Sequence, residues 1–266
     1  MPAVGYLGPS GSYSMLAAEK LCPGYEKVAR PSFRMLVNSL LNGESEVIVL
    51  PVENSLNGGV NQNLDLLQAT DGIIAFEQCT VKIDHRLAIL SGAEISGIRR
   101  IYSHQQALEQ CGEYLFSHFP GAKLIATQST SASLDMIKTP EDAGIVGAHV
   151  CRAGIELSAE NIADEKNNCT NFLLIKKGLA DTIRKSSYIF FSATCSHAPG
   201  ELNSLLSVLG AEGLNMTKIQ SRPIKGRSGE YRFFIEIEAD ISQKTVQTAI
   251  EKFKSRANSF KYLGIY

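Results

Sequence analysis

Short apolar runs that alternate with amphipathic segments over residues 1–176 most limit the folds open to this chain. The runs at 3–7, 46–50, 73–76, 79–83, 100–102, 123–126, 144–146 and 172–175 read as strands. Between them, 14–21, 32–41, 62–69, 106–116, 129–136 and 148–157 read as helices. Strands alternating with helices build an α/β sheet. Several of these helices begin at a polar turn directly after a strand. Unpaired N–H groups and the helix dipole favour an anion there, and ligands of open α/β sheets bind at such turns.

The pattern then changes. A charged and polar segment over 176–186 divides the chain into a first domain, 1–178, and a second, 187–266. The second reads strand 188–193, helix 200–209, strand 216–220, strand 231–237, helix 242–255, strand 261–264. That order is βαββαβ, a ferredoxin-like unit.

Composition excludes several classes of function. A formal net charge of -1 with no Lys/Arg-rich block argues against a nucleic-acid groove or an anionic membrane surface. The start, Met1-Pro2-Ala3-Val4-Gly5, has no basic n-region and reads as lacking a signal peptide. No apolar run reaches the roughly 20 residues of a membrane-spanning helix. The cysteines Cys22, Cys79, Cys111, Cys151, Cys169 and Cys195 stand singly, as reduced cytoplasmic thiols do. No histidine has metal-ligand spacing, so neither a metal nor another cofactor is expected.

Four polar turns stand out. Gly8-Pro9-Ser10-Gly11-Ser12-Tyr13-Ser14 follows a strand and opens a helix, so it reads as an anion cradle or as a plain turn with Ser14 as cap. Pro51-Val52-Glu53-Asn54-Ser55 reads as a loop presenting an amide and a hydroxyl to a carboxylate, or as a turn in which Asn54 bonds its own backbone. In Gln128-Ser129-Thr130-Ser131, Thr130 is expected as the cap and Ser129 as the ligand contact. Asn167-Asn168-Cys169-Thr170-Asn171-Phe172 sets amides and a hydroxyl against an apolar strand, where each unpaired group costs about 1–3 kcal/mol. His104 is a candidate proton donor but reads rather as a capping or surface residue, and His85 reads as a hinge-region or packing residue.

In this order the segments resemble the motifs of the prephenate dehydratase family, with Asp84-His85-Arg86-Leu87 and Ser103-His104-Gln105-Gln106-Ala107-Leu108 between them. In the second domain, His197-Ala198-Pro199-Gly200-Glu201-Leu202 and Leu214-Asn215-Met216-Thr217-Lys218-Ile219-Gln220-Ser221-Arg222-Pro223 resemble the ACT regulatory domain that follows in this family. The resemblance implies a two-lobed catalytic domain of periplasmic-binding-protein type with a cleft, then the ACT domain. It implies prephenate as substrate, converted to phenylpyruvate with loss of carbon dioxide and the ring hydroxyl. Thr170 falls on the family's catalytic threonine. Ser12, Tyr13, Asn54, Ser55, Ser129, Thr130, Asn168, Asn171 and Phe172 fall at the substrate. Phenylalanine is the implied effector, at Pro199, Gly200, Glu201, Leu202, Leu214, Asn215 and Met216, in a homodimer or homotetramer.

Two residues depart from the motifs: Gln220 stands in place of a glutamate in the ACT segment, and Asn171 in place of an arginine in the first domain. Family members carry arginine where this chain has Asn171, and a neutral amide replaces a bidentate charged clamp. Arg86 and Lys82 are the nearest cations by sequence to compensate. Three readings follow: a dehydratase with an adjusted pocket, an enzyme that decarboxylates prephenate or prefers arogenate, or a non-catalytic sensor of aromatic amino acids.

Overall fold

The computed structural model describes residues 1–180, 185–227 and 229–266. Part of the expected linker, 181–184, therefore lies outside the described residues. The elements begin with β1 (Ala3–Leu7), α1 (Tyr13–Leu21), β2 (Glu26–Arg30), α2 (Phe33–Leu41), β3 (Val47–Asn54) and the short β4 (Gly58–Gly59). Next come α3 (Asn61–Ala69), β5 (Ile73–Lys82), β6 (His85–Leu90), β7 (Arg100–His104), α4 (Gln105–Gln110) and α5 (Gly112–His118). They are followed by β8 (Lys123–Thr127), β9 (Asp142–Gly147), β10 (Ile155–Leu157) and β11 (Cys169–Lys177). The chain ends with β12 (Tyr188–Thr194), α6 (Glu201–Ala211), β13 (Asn215–Pro223), β14 (Tyr231–Glu238), α7 (Lys244–Arg256) and β15 (Ser259–Ile265). Contacts group it into two compact units, Met1–Gly58 with Cys79–Phe172, and Gly59–Gln78 with Leu173–Tyr266.

The first unit has two sheets and so two lobes. In one, β1 pairs in parallel with β2 and β3, and the start of β11 lies beside β3. Val47, Ile48, Val49 and Leu50 are all buried, as a parallel strand covered on both faces requires. The other sheet runs β10-β6-β9-β7-β8. Its core gathers Leu87, Ile101, Leu108, Leu115, Ile145 and Ile162.

The second unit holds β13-β14-β12-β15 as an antiparallel sheet. Ile189, Phe191, Ile235, Ile237 and Phe253 fill the core on its helix-covered face. On the other face α3 presents a polar stripe: Asn61, Asp65 and Gln68 bond Gln220, Arg222 and Ser192. This is the βαββαβ order that the sequence implies.

Several expected elements differ. The helix expected at 148–157 is absent, because Gly154 turns the chain at φ +77 and Ile155–Leu157 pairs antiparallel with Ala88–Leu90. The helix expected at 106–116 is two helices, divided at Cys111. The helix expected at 129–136 is a 3-10 helix over Ser131–Met136. β5 is one strand where two were expected. β2 was unforeseen, since Glu-Lys-Val-Ala-Arg is a charged sheet-edge strand with little apolar signal.

Candidate active site

Strand β3 runs on to Asn54, and β11 begins at Cys169, so two of the expected turns are strand ends. Side chains alternate across a strand with a period of two. Thr170 and Phe172 accordingly share one face of β11, and Asn171 takes the other.

Asn54 organises the cluster. Its Oδ1 accepts from Leu56 N and Asn57 N, both at 3.1 Å, which makes the local turn. Its Nδ2 approaches Asn168 Oδ1 at 2.7 Å, Thr170 Oγ1 at 3.0 Å and the Cys169 carbonyl at 3.1 Å. The turn in which Asn54 bonds its own backbone is thus present, and its Nδ2 is directed at Asn168, Thr170 and Cys169. Two consequences follow from hydrogen-bond inventory. Thr170 Oγ1 accepts from Asn54, which leaves its own proton to donate elsewhere. Asn168 spends its oxygen on Asn54, and its buried Nδ2 has no partner among the described residues. A buried amide donor without an acceptor costs about 1–3 kcal/mol.

These groups open on a cavity of about 300 Å³, lined by Tyr13 and Ser14 from the start of α1, Asn54, Asn168, Thr170 and Phe172 from the first lobe, and His85, His104, Ser129 and Thr130 from the second. Among the described residues lining it there is no Lys, Arg, Asp or Glu.

The structure redistributes the expected roles. Tyr13 lines the cavity with its ring. Its hydroxyl, however, donates to the Asp84 carbonyl at 2.7 Å and accepts from Asp84 N at 3.0 Å, and burial raises its pKa. It fastens the lobes and has no proton to offer a ligand. Ser12 caps α1, accepting from Met15 N and donating to the Leu7 carbonyl, and does not line the cavity. Ser55 also lies outside the lining and braces it, accepting from Cys169 N at 3.0 Å. Thr130 occupies the cap position of the 3-10 helix without a side-chain cap bond, and the bond comes from Ser129, whose Oγ accepts from Ala132 N at 3.1 Å.

Asn171 is not brought to the cavity. It is half-buried on the outer face of β11, where its Oδ1 accepts from Thr80 Oγ1 at 2.8 Å. Neither candidate cation replaces it. Arg86 is bound to Asp84 at 2.6 Å and 2.9 Å and to backbone carbonyls, and Lys82 is absent from the lining.

Sequence reasoning undervalued the second lobe. His104 does cap α4, its Nδ1 accepting from Gln106 N at 3.3 Å, yet it also lines the cavity with its proton left on Nε2. His85 is buried at the wall. Its tautomer is fixed in relay: Asn57 Oδ1 accepts from Gln106 Nε2 at 2.9 Å and Gln110 Nε2 at 3.2 Å, so Gln110 Oε1 faces His85 Nε2 at 2.9 Å. Nε2 is therefore the donor, and Nδ1 is a buried lone pair without a partner among the described residues. Burial lowers the pKa of His85, which keeps it neutral. The polar pair Gln106 and Gln110, four apart on a helix that directly follows a strand, is the signal that could have pointed to this wall.

The residues expected at the effector occupy two places. Gly200 caps α6 in the left-handed region at φ +83, with Pro199 before it and Glu201 and Leu202 in the first turn. Leu214, Asn215 and Met216 follow the other end of α6, whose eleven residues span about 16 Å. A single chain does not bring the two segments together.

A prephenate dehydratase profile matches residues 4–179, and an ACT domain profile matches 189–254. The chain belongs to the prephenate dehydratase family. A bifunctional chorismate mutase/prephenate dehydratase of Neisseria gonorrhoeae is 33% identical over 272 residues, covering 99% of this chain and 74% of that protein. Among solved structures, a prephenate dehydratase from Arthrobacter aurescens in complex with L-Phe aligns with a TM-score of 0.86 at 24% identity, over 98% of this chain and 88% of that one. GqqA, described as a novel type of quorum quenching acylase, aligns with a TM-score of 0.87 at 22% identity, over 99% and 97%. One fold therefore appears under two activities, and the family's chemistry must be argued from the site. Among the described residues, no group of His, Cys, Asp and Glu has the arrangement of a metal site, and no helix is long and apolar enough to cross a membrane.

Proposed function

We propose that this enzyme is a prephenate dehydratase, a carbon–oxygen lyase of phenylalanine biosynthesis that works in the cytoplasm without metal or cofactor. The observation that carries the reading is the Asn54–Asn168–Thr170 cluster, in a chain of this family, with one hydroxyl proton and one amide donor left for a ligand.

In the reaction the bond from the ring to its carboxylate breaks and releases carbon dioxide. The electron pair moves into the ring, and the bond to the ring hydroxyl breaks at the opposite carbon. The prephenate dianion becomes phenylpyruvate, carbon dioxide and hydroxide. Aromatisation supplies the driving force, so the protein's task is to hold the substrate and help hydroxide depart. Thr170 donates a hydrogen bond to the departing oxygen. Asn54, bonded to Thr170 Oγ1, aims that proton and stays bound throughout. A donor fixed in advance lowers the barrier more than one that must reorient. Asn168 Nδ2, the Thr130 hydroxyl and the start of α1 hold the carboxylates, and Phe172 forms part of the wall.

The second unit binds phenylalanine as an end-product effector. Segments 199–202 and 214–216 lie at opposite ends of α6, so the pocket combines one segment from each of two copies, in a homodimer or homotetramer. Inhibition requires phenylalanine to favour the less active state.

One observation favours arogenate as a second reading. A cavity without a cationic side chain suits a substrate of lower net negative charge, and arogenate carries an ammonium where prephenate has a keto group. Purified protein given each acid in turn decides between them. Phenylpyruvate formed from prephenate at the higher kcat/KM supports the first reading, and phenylalanine formed from arogenate at the higher kcat/KM supports the second. A non-aromatic keto acid as product, or no product, contradicts both.

A further inference from the structure

Away from the cavity, the second unit opens a cleft of about 190 Å³ between α3 and the hairpin of β13 and β14. Asp65, Gln68 and Ala69 line it from α3, and Arg222, Lys225, Arg232 and Phe234 from the hairpin. Arg222 and Arg232 are direct cross-strand partners in the β13–β14 register. Like charges placed opposite one another on a sheet destabilise it, so two facing arginines need an anion between or beside them.

The protein supplies only part of that anion. Arg222 is paired in bidentate fashion with Asp65, Nη2 to Oδ2 at 2.9 Å and Nε to Oδ1 at 3.4 Å. Arg232 is only partly exposed, and among the described residues its guanidinium has no hydrogen bond or ion pair. Burial, and then the charge of Arg227, lower its pKa, the direction expected of a cation without a counter-charge. Among the described residues lining the cleft, three cations face one carboxylate, an excess of two positive charges.

We propose that this cleft binds a small oxyanion carrying two negative charges, with Arg232 and Lys225 as its principal contacts and Arg222 shared between it and Asp65. A planar guanidinium takes two oxygens of a carboxylate or phosphate at once, and the lysine adds a mobile charge. The buried ring of Phe234 limits the ligand to a compact headgroup. The site stands apart from the segments assigned to phenylalanine. It lies on the α3 side of the sheet, and none of Pro199–Leu202 or Leu214–Met216 lines it.

The test is a calorimetric titration of the full chain with inorganic phosphate, with succinate as the dicarboxylate arm, against sodium chloride at matched ionic strength. The site predicts saturable heat with phosphate or succinate and none with chloride, and the stronger of the two names the headgroup. Arg232→Gln should weaken binding by about tenfold or more, as the loss of a charge-assisted bond requires. Lys225→Gln, at an exposed position where folding is not at risk, should weaken it by a few-fold. Asp65→Asn should tighten it, because the competing carboxylate is gone and Arg222 is released. A saturable heat of equal size in wild type and Arg232→Gln would overturn the proposal, as would phosphate and succinate behaving like chloride.

Discussion

The cavity of the first unit and the cleft of the second solve anion recognition in opposite ways. The cavity offers neutral amides, hydroxyls and imidazoles and has no Lys or Arg among its described lining residues. The cleft sets three cations around one carboxylate. Neutral donors bind through placement, so they must be held rigidly, and Asn54 does that with hydrogen bonds to both neighbouring segments. Charges act over a distance and tolerate a looser frame, but salt screens them. A site that must stabilise a departing hydroxide gains more from fixed donors, whereas a site that only retains an anion gains more from charge.

The largest effect expected from this contrast is at Thr170. Thr170→Val keeps the shape and removes the donor, so kcat should fall by about 10²–10⁴, with KM changing far less. Steady-state kinetics measure both, and a rise in KM at constant kcat would make Thr170 a binding residue only. Asn54→Ala should come next. It removes the partner of Asn168 and Thr170 from a buried site, at a cost of about 2–3 kcal/mol in denaturant unfolding, together with much of the turnover. Full stability in this variant would mean that water replaces the amide.

A smaller effect separates the two lobes of the first unit by pH. Burial lowers the pKa of His85 below its ordinary value of 6.5. As pH falls, the unfolded chain therefore takes up a proton before the folded chain does. Stability should be fully present above pH 6.5 and decline as pH falls from there toward the folded-state pKa. His85→Gln should flatten that part of the profile, and an identical slope in both proteins would place the titration elsewhere.

The smallest effect is expected at Asn171. With its side chain on the outer face of β11 against Thr80, Asn171→Arg should leave the KM for prephenate within about twofold, since no new contact reaches the cavity. A tenfold fall in KM would show that an arginine here can enter the site.

That last point also marks how much was legible in the sequence. Polar turns beside apolar runs pointed to Asn54, Asn168, Thr170, Ser129 and Thr130, because short polar residues there carry their own local geometry. The face of Asn171 was within reach too. Starting the strand at Cys169 instead of Phe172 puts Thr170 and Phe172 on one side and Asn171 on the other by the two-residue period alone. Other roles depend on partners far along the chain and leave no local trace. Tyr13 meets Asp84, 71 positions away, and that contact turns an expected ligand contact into a fastening between lobes. The orientation of His85 depends on Gln110, 25 positions away, and on Asn57, 53 positions from Gln110. The cleft of the second unit was hidden for the same reason, since Arg222 and Arg232 become neighbours only through strand register.

The central claim is that the catalytic cavity recognises and converts its anionic substrate with neutral groups. The dependence of kcat/KM for prephenate on ionic strength tests it most directly, with phenylpyruvate followed as product. The account predicts phenylpyruvate formation, with kcat/KM varying by no more than about twofold as the Debye length shrinks from roughly 30 Å to 3 Å. A fall of about tenfold or more over the same range would reveal a charged clamp at the substrate and contradict it.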